Sequence, residues 1–138
     1  MNLENKHLII KNIDDFILSL NVESNQNAIV IVEGKRDMEA LYYLGYKGNI
    51  KAYHHYRGTT NFVDQCAINY RKLILLMDSD NKGKIITKKI LSQLNGRIID
   101  LNYKKKLLQI TKGRIKKIEE IKSFYIHITE NKKINEGN

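Results

Sequence analysis

The chain has 138 residues, 42% hydrophobic and 28% charged, which is the balance of a globular domain rather than of a disordered segment. That length supports one core and not two comfortable domains, no apolar run approaches the roughly 20 residues needed to span a bilayer, and a single cysteine, Cys66, excludes an intrachain disulfide and a multi-cysteine metal site. The formal net charge of +9 favours a polyanionic partner, of which nucleic acid is the commonest, with a merely solvating lysine surface as the plain alternative. The first residues show no charged-then-apolar pattern with a small-residue cleavage site, so cytoplasmic residence is expected.

Residues 3–20 carry Leu8, Ile9, Ile13, Phe16, Ile17 and Leu20 at helical spacing, the pattern of an amphipathic helix packed on a sheet. The polar stretch 21–27, NVESNQN, reads as a loop. Ala28 to Val32 is a short β-branched run and reads as a buried strand. A helix follows from Lys35 or Arg36 to Leu44, with Met38, Leu41, Tyr42 and Leu44 inward and Gly45 as a left-handed C-terminal cap. A short strand at 49–53 leads into HHYRGTTN, in which Thr59 or Thr60 caps a helix over 61–70. That helix buries Phe62, Val63, Cys66 and Ile68 or Ala67. His54 and His55 read as a solvated loop pair, and Cys66 reads as a core residue rather than a nucleophile.

The next strand, Leu73 to Met77, ends abruptly in Asp78 and Asp80, and a helix runs from about Lys82 to Leu94, closed by Asn95 and Gly96. Residues 97–101, RIIDL, read as a fourth strand. Alternating strands and helices call for a parallel sheet covered by helices on both faces. Beyond it, 103–110 reads as a short basic helix and 111–113 as a turn. Ile115, Ile118, Ile121, Phe124, Tyr125 and Ile128 mark a final amphipathic helix, and 131–138 a frayed tail.

Two strands release acids at the same end: Glu33 with Gly34, Lys35, Arg36 and Asp37 after the first, and Asp78 with Asp80, Lys82, Gly83 and Lys84 after the third. In open parallel sheets ligands bind beyond the carboxyl ends of the strands, so these acids are expected to share one site. That requires the two strands to be neighbours and Glu33 to lie within about 10 Å of the aspartates, given the short Mg²⁺ to oxygen distance. Clustered carboxylates repel and raise one another's pKa, and a hard cation such as Mg²⁺ relieves this while taking one or two carboxylates, waters and substrate phosphate. Asp78 and Asp80 are the candidate ligands, and Glu33 a further ligand or an acid and base. Lys35, Arg36, Lys82 and Lys84 can neutralise a phosphodiester, and the amides near Gly34 and Gly83 lie at helix N-termini that favour anions. Helix capping is the competing reading of the aspartates, and a turn that of Glu33 and Gly34. A calcium loop does not fit, because Lys82 and Lys89 stand where oxygen ligands are needed.

The strings VEGKRD and MDSDNKG resemble the two signature motifs of the Toprim domain, found in topoisomerases, bacterial-type primases, overcoming-lysogenization-defect nucleases and a ribosomal-RNA maturation ribonuclease. With the leading helix and the closing TKGRIKKIEEI, the plan resembles the small stand-alone archaeal Toprim proteins. Glu33 matches the family glutamate, Asp37 the acid that often follows it, and Asp78, Asp80 and Gly83 the second motif. The resemblance implies a Rossmann-like three-layer α/β/α fold with a mainly parallel four-stranded sheet and added N- and C-terminal helices. It implies one domain over 1–138: a core of about 27–102, an N-terminal helix at about 3–20 and a helical extension at about 103–130. It further implies Mg²⁺, or Mn²⁺ in its place, at the aspartates and Glu33 in proton transfer during phosphodiester chemistry. Topoisomerases carry one more acid two residues after the DxD; Lys82 stands there, which speaks against their two-metal arrangement.

Two functions follow as expectations. One is a Mg²⁺-dependent nuclease acting on RNA or DNA. The other is a non-catalytic nucleic-acid-binding module that keeps the metal site and works with a protein partner in RNA processing or DNA repair. A receiver or phosphatase-like domain fits less well, because those families place an acid pair after the first strand, where Glu33 stands alone.

Overall fold

The structure, a computed structural model, describes residues 2–94 and 98–137, with side chains described through residue 130. Helix α1 (Leu3–Asn25) begins where the Asn2 side chain accepts the Asn5 N–H at 2.8 Å, a helix cap that satisfies one of the free N–H groups of the first turn. Then follow β1 (Ala28–Val32), α2 (Lys35–Tyr43), β2 (Ile50–Ala52), α3 (Thr59–Gln65), β3 (Lys72–Leu75), α4 (Asn81–Leu94), β4 (Ile99–Asp100), α5 (Asn102–Ile110) and α6 (Glu120–Gly137). The strands form one parallel sheet in the order β2-β1-β3-β4.

Side chains of a strand alternate between faces, and both central strands are apolar on both. Ala28, Val30 and Val32 of β1, with Ile74 and Leu76, face a core shared with α1, α2, α5 and α6. Ile29 and Ile31, with Leu73, Leu75 and Met77, face a second core with α3 and α4. The chain travels outward from β1 to β2 through α2, then back past β1 to β3 through α3. This reversal of direction with a change of face is what right-handed crossovers produce. It leaves a crevice above the C-terminal ends of β1 and β3, where such sheets bind ligands.

Several expectations need correction. Helix α1 continues to Asn25 through the stretch expected as a loop, because its polar residues dock on the α2–β2 connection. Asn21 donates to the Gly45 carbonyl and accepts from the Lys47 N–H, and Ser24 Oγ accepts from the Asn49 N–H. The chain turns instead at Asn27, with φ of 64°. Tyr42 is 49% exposed, and Ala40 is the inward residue beside Leu41. Helix α3 starts one residue after Gly58 without a threonine cap, since Thr59 bonds the Tyr53 hydroxyl at 2.6 Å, and it ends at Gln65 before a 3₁₀ turn at Ala67–Asn69. Ala67 is buried there and Ile68 is exposed.

Helix α6 begins at Glu120, so Ile115 and Ile118 belong to a crossing segment of bends and turns, 114–119, before it. It runs to Gly137 through the stretch expected to fray. The cap residues Asn95 and Gly96, Arg97 at the head of the expected fourth strand, and Asn138 lie outside the described residues. Gly45 is left-handed, with φ of 103°, as its place after α2 predicts.

Candidate active site

Strands β1 and β3 are adjacent, in a register that pairs Ile31 with Leu75, so their C-terminal tips release Glu33 and Asp78 side by side. Glu33 Oε2 accepts the Asp78 N–H at 3.3 Å, well inside the separation the shared site requires. Glu33 is only 4% exposed, and its Oε1 has no hydrogen-bond partner among the described residues. Burial, then the Asp78 side chain beside it, push its pKa up to about 8; Asp80 adds to this and the Asp78 N–H opposes it.

Asp37 stands three residues after Gly34, the residue before α2, and accepts the Gly34 N–H at 3.0 Å, as a capping acid does. Its other oxygen accepts the Glu119 N–H at 2.9 Å. Burial raises its pKa, with the Gly34 and Glu119 N–H groups opposing. Asp78 Oδ1 accepts the Ile118 N–H at 2.9 Å, and the Ser79 N–H donates to the Lys116 carbonyl at 2.7 Å. The segment 114–119 is therefore strapped across both strand tips by backbone bonds to the two acid motifs.

Asp80 Oδ1 accepts the Gly83 N–H at 2.9 Å, so the capping reading holds for Asp80, immediately before α4. It does not hold for Asp78, whose bond goes to the strap. Gly83 has a steric reason: a Cβ there would lie 2.1 Å from the Asp78 carbonyl oxygen. Only glycine lets the first turn of α4 lie on the Asp78 backbone. Gly34 is in extended backbone, φ −138°, and a Cβ there would meet only the His54 ring, at 3.9 Å.

A cavity of about 270 Å³ collects Glu33, Asp37, Asp78 and Asp80 with the cations Lys35, Arg36 and Lys82. The strap adds Lys117 and Glu119, and His54 joins them from a 3₁₀ turn at Tyr53–His55, its side chain exposed and its backbone N–H bonded to the Glu33 carbonyl at 3.0 Å. Lys84 does not reach this cavity; it lines a neighbouring one on the other side of Asp78. Among the described residues no three acid, histidine or cysteine side chains are grouped so as to hold a metal ion by themselves. The donor chemistry nonetheless fits a hard cation: clustered carboxylate oxygens, one of them a buried oxygen of Glu33 without a partner among the described residues, and room for substrate. One or two carboxylates with water and phosphate suffice for Mg²⁺.

The pattern of residues gave no hint of two participants. The strap was hidden because Ile115, Ile118 and Ile121 repeat at helical spacing. Lys104 of α5 was one lysine among three in a row. Its amine donates to the Met77 carbonyl, and burial lowers its pKa while the Asp78, Glu33, Asp80 and Asp37 carboxylates oppose that shift.

Among the described residues no helix is long and apolar enough to cross a membrane. Comparison with known proteins matches residues 27–103 to the Toprim domain, a span that holds all four strands and both acid motifs. The chain is 35% identical over 112 residues to a UPF0292 protein of Archaeoglobus fulgidus, covering 80% of this chain and 86% of that one. It is 30% identical to a UPF0292 protein of Methanosarcina barkeri, covering 88% and 83%. Among solved structures, a putative protein from Aquifex aeolicus superposes with a TM-score of 0.62 at 30% identity, covering 77% of this chain and 94% of that one. Toprim domains occur in metal-dependent enzymes and binders of nucleic acid, and by motif, strand order and the extent of the match this chain belongs to the Toprim family.

Proposed function

We propose that this protein carries out Mg²⁺-dependent phosphodiester chemistry on nucleic acid, in the manner of a nuclease. The observation that supports this reading best is the place of Glu33: a buried carboxyl with one unpartnered oxygen, bonded to the Asp78 amide, in a cavity ringed by cations. A buried oxygen without a partner is a cost that a bound species relieves. Asp78 and Asp80 would hold Mg²⁺, or Mn²⁺ in its place, with Glu33 as a further candidate ligand. When bound, the ion supplies positive charge that offsets the carboxylates and the phosphodiester.

The chain's own residues do the rest. Lys35, Arg36 and Lys82 hold the phosphate, and being drawn from two helices they fix its orientation. Glu33 takes and returns the proton of the attacking or leaving oxygen. Asp37 acts through others: it holds Gly34 and the strap, and so sets the depth of the cavity.

One observation favours the second reading, a binding module that keeps the site and works with a protein partner in RNA processing or DNA repair. Asp78 and Asp80 each commit an oxygen to a backbone N–H. Labelled single-stranded and duplex RNA and DNA, incubated with and without Mg²⁺ or Mn²⁺, separate the two. Metal-dependent cleavage by the wild type, lost in Glu33→Ala and in the Asp78→Ala, Asp80→Ala double variant, establishes the enzyme. Salt-sensitive binding without turnover on every substrate rejects it in favour of the module.

A further inference from the structure

A second cavity, of about 560 Å³, opens on the far side of Asp78 from the Glu33 carboxyl, between α4 and α5. Its volume lies within the roughly 300–1,000 Å³ of small-molecule sites. Leu75, Met77, Leu101 and Leu108 make its walls largely apolar, completed by Thr87 of α4 and Lys104 of α5. Its rim is cationic: Lys84 and Lys88 one turn apart on α4, and Lys105 on α5, all exposed. Ser79 also lines it, and its buried hydroxyl has no hydrogen-bond partner among the described residues.

An apolar chamber with one orphaned hydroxyl and a ring of lysines is complementary to a flat, weakly polar group carried on an anionic backbone. Asp78 lines both this cavity and that of the acids, so a ligand seated here continues directly into the proposed site of phosphate chemistry. We infer that this cavity seats an unpaired nucleobase of the substrate strand, next to the phosphate held at the acids, while Lys84, Lys88 and Lys105 carry the adjoining phosphates. The inference rests on the nucleic-acid reading above and narrows it. A base within a duplex is stacked and paired and cannot reach the apolar floor of a cleft between two helices, so the substrate is a single-stranded segment, an end or an extruded nucleotide. It also gives Lys84 a place that the acid cavity does not.

The test compares a short single-stranded oligonucleotide with its abasic counterpart of equal length and charge, by fluorescence anisotropy in EDTA to prevent turnover. The wild type is expected to bind the base-bearing strand about tenfold more tightly, the scale of one seated base. Thr87→Met, which fills the chamber from α4, should bring that affinity down to the abasic value and leave abasic binding unchanged. A strand carrying 5-iodouridine, photo-crosslinked to the wild type, should map to residues 75–79 or 101–108, which does not depend on any variant folding. Equal affinity for the two strands, or crosslinks confined to other surfaces, overturns the inference. Equal affinity alongside metal-dependent cleavage removes the base site and leaves the enzyme. A base preference without cleavage in any metal leaves the base site and removes the enzyme.

Discussion

Asp37 and Glu119 are joined by a 2.9 Å hydrogen bond from the Glu119 N–H to the Asp37 carboxylate, across most of the length of the chain. Because the other Asp37 oxygen holds Gly34, one side chain ties the first acid turn to the strap. Asp37→Ala would leave two N–H groups without their carboxylate, and bonds to charged groups contribute about 1.5–3 kcal/mol each. The variant should lose at least about 3 kcal/mol of stability in urea unfolding and show a larger rise in amide exchange at Ile118 and Glu119 than in the sheet. Unchanged exchange at those amides would mean that the strap is held by other contacts.

Glu33 ties stability to pH. Its pKa rises from an ordinary 4.5 to about 8 in the fold, so between those values the native state binds more protons than the unfolded chain, and stability falls as pH rises. The contribution is fully present below about pH 4.5 and is lost as pH passes about 8. Urea unfolding of EDTA-treated protein across this range should show that decline, and Glu33→Gln, which cannot ionise, should flatten it. A slope of the same size in both proteins would assign the dependence to other groups.

Much of this was legible in the residues, for identifiable reasons. Residues 28–32 and 73–77 are continuous apolar runs that only a sheet covered on both faces accommodates, and the acids stand where those runs stop. The shared site required the two strands to be adjacent, as they are. The strap was not legible, because the isoleucine spacing of 115, 118 and 121 fits a helix and nothing local contradicts it. What decides is tertiary: Asp78 and Asp37 claim the Ile118 and Glu119 N–H groups, and locally Glu120 accepts those of Lys116 and Lys117 at 3.1 and 2.7 Å. In the same way the polar end of α1 has no helical signature, and the bonds of Asn21 and Ser24 to a distant loop keep it wound.

Gly83 and Gly34 should respond differently to alanine. At Gly83 the new carbon would sit 2.1 Å from the Asp78 carbonyl oxygen, so either α4 or Asp78 must move, at a cost of about 1–3 kcal/mol. At Gly34 the nearest atom is a His54 ring carbon at 3.9 Å, and the change costs under about 1 kcal/mol. Thermal unfolding with the cleavage assay should show Gly83→Ala losing activity well below the temperature at which it melts, and Gly34→Ala close to wild type. Equal behaviour would mean that the approach of α4 to Asp78 does not set the site.

Asp80 separates capping from metal holding. Its oxygen accepts the Gly83 N–H at 2.9 Å, and asparagine serves that role about as well as aspartate, whereas alanine forfeits about 1 kcal/mol. A metal site needs the charge as well as the oxygen, since Mg²⁺ favours carboxylates. On the nuclease reading proposed above, Asp80→Asn should therefore unfold near the wild-type urea midpoint yet need at least tenfold more Mg²⁺ for half-maximal cleavage, equivalent to about 1.4 kcal/mol of binding. Asp80→Ala should lose both stability and Mg²⁺ response. If asparagine restores the Mg²⁺ response together with the stability, Asp80 is a helix cap alone, and Asp78 carries the metal without it.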